Sequence, residues 1–123
     1  MLRHPAVVLD VADLGRAAAF WGAVLGVEPG QARSGGSYLT VGPIDGGPLL
    51  VLQKVPERKT GKNRMHLDFT VDDVARASAQ VVRLGGTVHS TPLDSGGITL
   101  ADPDGNEFCV GAFVRDRSGE RLS

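Results

Sequence analysis

The sequence predicts an α+β fold built from two similar halves, and three observations lead to this prediction. In several short segments, apolar residues such as Val and Leu alternate with polar residues at a period of two, which is typical of strands with one buried face. Two longer segments carry apolar residues at helical spacing, each just after an aspartate and just before glycine. The order of these segments repeats after about 60 residues, which predicts two βαβββ modules.

The first module spans about residues 1–57 and is followed by a linker over residues 58–63. Asp13 is the predicted N-cap of its helix, and Gly26 ends the helical pattern because glycine readily adopts the left-handed conformation found at helix ends. The glycine- and proline-rich sequence after this helix favours short strands joined by turns. The predicted strands of this module cover residues 6–11, 38–41 and 49–55.

The second module, about residues 64–123, repeats this order. Asp73 is the predicted N-cap of its helix, and Gly85 and Gly86 end that helix. Two such modules would form a single domain, with a curved mixed sheet, both helices outside and a concave face that predicts a small-molecule pocket. The predicted strands of this module cover residues 66–71, 87–90, 98–101 and 107–114.

The composition excludes several classes of protein. Thirteen Lys and Arg against fourteen Asp and Glu give a net charge of −1, without the basic surface of a nucleic-acid-binding protein. No apolar run approaches the roughly 18 residues of a membrane span, and the N-terminus lacks the pattern of a secretory signal. We therefore expect a cytoplasmic protein without a membrane partner. The single cysteine, Cys109, excludes an internal disulfide.

Three segments carry recognisable sequence motifs: residues 11–26, residues 66–73, and the turn sequence Asp-Pro-Asp-Gly-Asn at residues 102–106. Together they resemble the vicinal oxygen chelate superfamily, which includes glyoxalase I, extradiol dioxygenases and the bleomycin and fosfomycin resistance proteins. Residues 62–68 with 102–108 resemble more narrowly its glyoxalase-like domain branch. The resemblance implies a homodimer and a divalent metal (Fe, Mn, Zn, Ni or Co) that binds two adjacent oxygens of a small molecule as a Lewis acid.

The histidine that the resemblance implies in the second module is present. His66 lies seven residues before Asp73, where family members carry a histidine ligand. Strand alternation puts His66, Asp68 and Thr70 on one face, toward the predicted cavity. A hydrogen bond from His66 to Asp68, to another polar neighbour or to the main chain is the alternative to a metal site. The counterpart in the first module is Ala6, which offers no lone pair to a metal.

The other ligands that the resemblance implies are changed. Where family members carry a glutamate after the Asp-Pro-Asp-Gly-Asn turn, this sequence has Cys109, either a soft ligand or a small buried hydrophobic residue. Glu107, on the same face, is either a shifted ligand or base, or an exposed turn residue paired with an arginine. Gln53 offers a metal-capable oxygen in the 49–55 segment. The predicted metal ligands are therefore His66, Glu107 and Gln53, and the predicted catalytic residues are Glu107 and His66.

Four residues are predicted to contact a small molecule: Arg64, Asp68, Thr70 and Cys109. Arg64 shares the strand parity of His66, and a guanidinium can hold an anionic group through two parallel hydrogen bonds. Arg64 also ends a basic run that begins at Arg58, for which a solvent-exposed surface is the alternative.

Three functions remain open at this point. The first is an enzyme with metal-assisted lyase, isomerase or dioxygenase chemistry, using His66 and Glu107. The second is a metal-free protein that binds or sequesters a ligand, as resistance proteins do, which Ala6 and Cys109 at ligand positions favour. The third is metal-free acid–base catalysis by His66 with Asp68 or Glu107, since histidine exchanges protons near neutral pH.

Overall fold

The computed structural model describes residues 1–90, 97–112 and 118. These residues contain seven strands and two helices. The chain divides into two units, Met1–Thr60 and Gly61–Ser123, and the boundary falls inside the predicted linker. The elements are β1 (Ala6–Val11), α1 (Leu14–Leu25), β2 (Tyr38–Pro43), β3 (Leu49–Lys54), β4 (Leu67–Thr70), α2 (Val74–Arg83), β5 (Thr87–Val88), β6 (Ile98–Ala101) and β7 (Glu107–Gly111). The predicted α+β class is confirmed.

The first unit contains a three-stranded mixed sheet in the order β1-β3-β2. Strand β3 pairs in parallel with β1 and antiparallel with β2. Alternation along β3 buries Leu50 and Leu52 completely, and α1 packs on β2 and β3. The helix contributes Phe20 and Trp21, whose rings meet edge to face at 5.3 Å between centroids. These residues form the core of the first unit.

The fourth strand that a βαβββ module requires is missing from the first unit, of which every residue is described. The segment between α1 and β2 forms turns and a single bridge between Arg33 and Tyr38. Ser34, Gly35 and Gly36 have φ angles of 55°, 68° and 89°, and this left-handed conformation cannot continue a strand. The glycines that favoured short strands in the sequence thus prevent this one.

The second unit contains a four-stranded mixed sheet in the order β4-β7-β6-β5, and its four strands match the number in the predicted βαβββ module. Strands β4 and β7 run parallel, and the other two pairs are antiparallel. Leu100 and Phe108 lie opposite each other and are buried, and Phe108 meets Phe69 edge to face at 6.0 Å. Helix α2 packs on β5, β6 and β7 through a face that includes the buried Val81.

Two differences from the predicted sheet arise from local pairing. The described strands form two hydrogen-bonded sheets, whereas we predicted one curved sheet, because each unit completes its own ladder from strands nearby in the chain. Strand β5 has two residues instead of the predicted four. The predicted last strand extended to residue 114, and its residues 113 and 114 lie outside the described residues. The concave pocket and the single domain stay predictions.

The turn between β6 and β7 is built around the buried side chain of Asp102. Its Oδ1 accepts hydrogen bonds from the backbone N–H groups of Asp104 (2.9 Å) and Asn106 (2.8 Å), and its Oδ2 accepts one from Asn106 Nδ2 (3.1 Å). Gly105 has φ 87°, which the turn requires and glycine adopts without strain. This rigid turn fixes the start of β7, which carries Glu107 and Cys109.

Both helices begin at the predicted caps. The Asp13 carboxylate accepts a hydrogen bond from the N–H of Arg16 (2.9 Å), and the Asp73 carboxylate accepts one from the N–H of Arg76 (3.0 Å). Helix α1 ends at Gly26 with φ 70°. The helices have 12 and 10 residues, and no helix in the described part of the chain is long and apolar enough to cross a membrane.

Removing the cap of α2 should destabilise the fold measurably. We expect Asp73→Ala to lower the free energy of unfolding by about 1 kcal/mol, because the N–H of Arg76 loses its acceptor. Urea unfolding followed by circular dichroism measures this change. The matched control is Asp72→Ala, which removes the neighbouring carboxylate and should leave the midpoint nearly unchanged. Equal losses in the two variants would contradict the capping role.

Candidate functional site

Polar side chains collect on one face of the sheet in the second unit, which we call the polar face. It is the face opposite Leu100 and Phe108, because side chains alternate along each strand. Asp68 on β4 lies opposite Cys109 on β7, and Cys109 lies opposite Thr99 on β6. The residue after β5, His89, donates its backbone N–H to the Thr99 carbonyl (2.8 Å). The polar face therefore crosses β4, β7 and β6 and extends to the residue after β5.

Three side chains with metal-binding atoms meet at one edge of the polar face, and we call them the donor group: His66, Asp68 and Cys109. One ligand atom from each lies within 4.8 Å of the other two. His66 Nδ1 is 2.9 Å from Asp68 Oδ1, and these two side chains are 44% and 46% exposed. Their two-residue spacing places them on the same face, and parallel pairing brings Cys109 beside Asp68.

The Cys109 thiol has a second polar neighbour on the polar face. Its Sγ is 3.4 Å from Thr99 Oγ1, a distance at which either atom can donate a hydrogen bond. Cys109 is half-buried, so it differs from the fully buried hydrophobic residue that was the alternative in the sequence. Thr99 was not among the predicted site residues, since only the antiparallel pairing of β6 with β7 reveals that it lies opposite Cys109.

Glu107 lies on the polar face in a different environment. Its side chain is only 5% exposed, so the alternative of an exposed turn residue is wrong. Its Oε2 accepts the backbone N–H of Asn63 at 3.2 Å, and its Oε1 is 3.7 Å from Nε2 of His89. Glu107 does not belong to the donor group. No local sequence pattern indicates Asn63 or His89 as its neighbours, because both contacts join distant parts of the chain.

Gln53 lies on β3 of the first unit, opposite Asp10. The repeat relates Asp10 to Thr70, which lies opposite Gly111 in the second unit. Gln53 is therefore the counterpart of Gly111 and not of Glu107 or Cys109. The first-unit counterparts of Asp68 and Cys109 are the apolar pair Val8 and Val51.

The two remaining predicted ligand contacts, Arg64 and Thr70, flank His66 and Asp68 along the chain. Arg64 is exposed and lies two residues before His66. Thr70 is exposed at the end of β4, two residues after Asp68, and alternation places it on the polar face. Arg64 and Thr70 thus lie on either side of His66 and Asp68 in the sequence, with a charge at one end and a hydroxyl at the other.

Each unit consists of a small mixed sheet with one helix packed against it. The second unit also carries, on the face away from its buried core, three side chains with atoms that could hold a metal ion. These features define a small α+β protein of the glyoxalase type. A family model described as glyoxalase-like domain matches residues 6–111. The chain therefore belongs to the glyoxalase-like domain family.

Solved structures share this fold at low sequence identity. A glyoxalase-related enzyme from Fulvimarina pelagi is 22% identical, with 99% of each chain covered and a TM-score of 0.68. A glyoxalase/bleomycin resistance protein/dioxygenase family enzyme from Burkholderia phytofirmans PsJN is 19% identical, with 85% of this chain and 94% of that chain covered and a TM-score of 0.70.

A third structure carries ligands. It is a mutant of the fosfomycin resistance protein FosX from Listeria monocytogenes, complexed with Mn(II) and 1S,2S-dihydroxypropylphosphonic acid. It is 20% identical, with 91% of each chain covered and a TM-score of 0.70. At these identities the likeness shows the fold alone. Among curated protein sequences, none matches this chain significantly.

Proposed function

We propose that this chain binds a divalent cation in the donor group and, through that cation, a small molecule with adjacent oxygen atoms. The observation that carries this proposal is the meeting of an imidazole, a carboxylate and a thiol within 4.8 Å on an accessible sheet face. Their exposure leaves room for a ligand beside them. The family supports the proposal, since a FosX relative of the same fold is complexed with Mn(II) and a dihydroxypropylphosphonic acid.

The donor group fits a cation in spacing. Two ligands of one ion are separated by at most the sum of their metal–ligand distances, about 4.4 Å for a nitrogen at ~2.1 Å and a sulfur at ~2.3 Å. The ligand atoms of the donor group lie within 4.8 Å of one another, so small rotations of the exposed His66 and Asp68 side chains would close any remaining gap. The 2.9 Å between His66 Nδ1 and Asp68 Oδ1 already suits adjacent positions on one ion.

The donor chemistry favours a borderline metal. Imidazole and thiolate suit Zn²⁺, Co²⁺, Ni²⁺ and Fe²⁺, whereas Mg²⁺ and Ca²⁺ take mainly oxygen ligands. We therefore propose that Zn²⁺ and Co²⁺ bind more tightly than Mn²⁺. When bound, the cation would supply Lewis-acid polarisation to an oxygen of the small molecule.

The chain's own residues would orient the bound molecule. The contact between His66 Nδ1 and Asp68 Oδ1 brings the imidazole and the carboxylate together before a cation binds. Arg64 offers a guanidinium for an anionic group of the ligand, and Thr70 offers a hydroxyl. The ligand class is therefore a small anionic molecule with two neighbouring oxygens.

A metal-free binding protein is the second candidate, and a specific observation favours it. The polar groups of the donor group already have partners: His66 pairs with Asp68, and Cys109 pairs with Thr99. Such a face needs no cation to satisfy these groups, and it could bind a ligand directly by hydrogen bonds.

One experiment separates the two candidates. The full chain is stripped with a chelator, kept reduced, and titrated with Zn²⁺, Co²⁺ and Mn²⁺ by calorimetry. A library of small anions, including vicinal diols and hydroxy acids, is then screened by thermal shift with and without Zn²⁺. We expect one cation per chain and ligand shifts only with metal. Absence of cation binding would overturn the metal site, and metal-independent ligand shifts would establish the second candidate.

Replacing the thiol should reveal its part in metal choice. We expect Cys109→Ser to weaken Co²⁺ and Zn²⁺ binding by at least roughly tenfold, because losing even an outer neighbour of a metal site costs about 10–100-fold. The hydroxyl can still bond Thr99, so the fold is preserved. The thiolate-to-Co²⁺ charge-transfer absorption in the near ultraviolet should disappear.

Thr99→Val is the matched control, since it removes the hydroxyl beside Cys109 and retains the thiol. It should keep the charge-transfer absorption. Unchanged Co²⁺ affinity in Cys109→Ser, together with no such absorption in the native chain, would show that the thiol is not a ligand.

Two further expectations from the sequence stay predictions. We propose a homodimer, as the resemblance implies, and light scattering after gel filtration would measure its mass. A cytoplasmic location is also proposed, and fractionation of the host cell tests it.

A further inference from the structure

Glu107 and Asn63 form a reciprocal pair that joins the segment before β4 to the start of β7. The backbone N–H of Asn63 donates to Glu107 Oε2 (3.2 Å), and the backbone N–H of Glu107 donates to Asn63 Oδ1 (3.3 Å). Asn63 Nδ2 also donates to the carbonyl of Met65 (3.2 Å). Asn63 thus bonds both to β7 and to the residue just before His66.

The sheet ladder alone leaves His66 at its margin. The pairing of β4 with β7 runs from Leu67 opposite Phe108 to Thr70 opposite Gly111. His66 lies immediately before β4, whose first residue is the first one paired with β7. Strand β4 is at the edge of this sheet. The next constraint toward the N-terminus is the Asn63–Glu107 pair. This pair therefore limits how far the chain at His66 can move from β7.

Burial makes Glu107 suited to such a structural role. Its side chain is 5% exposed, against 44% and 46% for His66 and Asp68. A buried carboxylate is stable only where N–H groups or charges face it, and here the Asn63 N–H and the His89 imidazole do so. The carboxylate contacts elements on both sides of β7, the segment before β4 and the residue after β5.

We infer that Glu107 and Asn63 are positioning residues, which hold His66 in reach of Asp68 and Cys109, and that Glu107 is not itself a metal ligand. This inference rests on the proposed cation site. It reverses the role that the sequence suggested for Glu107. Glu107 would then affect cation binding indirectly, by accepting the Asn63 N–H and so limiting the movement of the chain at His66.

Glu107→Gln and Glu107→Ala distinguish the two roles. A glutamine oxygen can still accept the Asn63 N–H, whereas alanine cannot. We expect Glu107→Gln to retain most of the native Co²⁺ affinity. Glu107→Ala should bind Co²⁺ roughly 10–100-fold more weakly, which is the usual effect of removing an outer partner of a metal site. Glu107→Ala should keep the thiolate charge-transfer absorption, because Cys109 is unchanged.

Asn63→Ala provides the second variant, because it removes the side-chain half of the pair and leaves the Glu107 carboxylate in place. It should weaken Co²⁺ binding as Glu107→Ala does. Equal loss of affinity in Glu107→Gln and Glu107→Ala, with Asn63→Ala like the native chain, would identify Glu107 as a ligand and overturn the inference while leaving the cation site intact.

Hydrogen exchange gives a readout that needs no metal. The amide hydrogen of Asn63 should exchange slowly in the native chain and in Glu107→Gln, and faster in Glu107→Ala. If the native chain binds no cation, the proposed function fails, and this exchange pattern alone still supports the positioning role. Unchanged exchange at Asn63 in Glu107→Ala would overturn that role.

Discussion

His66→Ala should lower the Co²⁺ affinity of the chain by at least about a hundredfold, since loss of an outer partner of a metal site already costs roughly 10–100-fold. His66 supplies the imidazole of the donor group, and its Nδ1 is 2.9 Å from Asp68 Oδ1. Calorimetric titration of the reduced, metal-free chain measures the change. Metal-dependent thermal shifts by small anions should disappear in the same variant.

The matched control is His4→Ala, which removes an exposed histidine of the first unit. It should bind Co²⁺ like the native chain. His66 is also exposed, so its replacement should leave the unfolding midpoint nearly unchanged, and a loss of binding cannot then be attributed to unfolding. Native affinity in His66→Ala would exclude the donor group as the cation site.

Phe108→Ala should produce the largest loss of stability, about 3–5 kcal/mol in the free energy of unfolding. Phe108 is 1% exposed, lies opposite Leu100 and packs edge to face on Phe69. Its removal would leave a cavity directly behind Cys109, because the two neighbours on β7 point to opposite faces. Urea unfolding followed by circular dichroism measures the change.

Val88→Ala is the matched control, because Val88 is 52% exposed on β5 of the same sheet. It should lower the free energy of unfolding much less than Phe108→Ala does, since Val88 buries little apolar area. If the two variants unfold at similar urea concentrations, Phe108 does not belong to the core of the second unit.

The elements that could be predicted are those whose cause is local. Asp13 and Asp73 bond N–H groups three residues away, so the sequence around each contains the whole capping interaction. The alternation of β4 likewise follows from backbone geometry, and it placed Asp68 on one face with Thr70 correctly. The repeat added what neither signal shows alone, that the same order of elements occurs twice.

The predictions that differ from the structure concern residues where local signals conflict, or whose neighbours are set by strand pairing and contacts between distant segments. The missing strand of the first unit falls near Ser34–Gly36, where positive φ angles form a turn in place of a strand. Gln53 was chosen for its residue type, but strand register makes it the counterpart of Gly111. The position of Glu107 after a turn left solvent exposure as an alternative to a site role, but its side chain is 5% exposed and accepts the N–H of Asn63, 44 residues earlier.

The sequence by itself determined the α+β class, the helix caps and the family resemblance, because each depends on neighbours in the chain or on motifs within one segment. Only the tertiary structure decided which side chains from other strands lie beside His66 and Asp68. Cys109 and Thr99 reach the polar face through strand pairing, and Asn63 reaches Glu107 through contact between distant segments. Such register is set by hydrogen bonds between strands far apart in sequence, which no local pattern specifies.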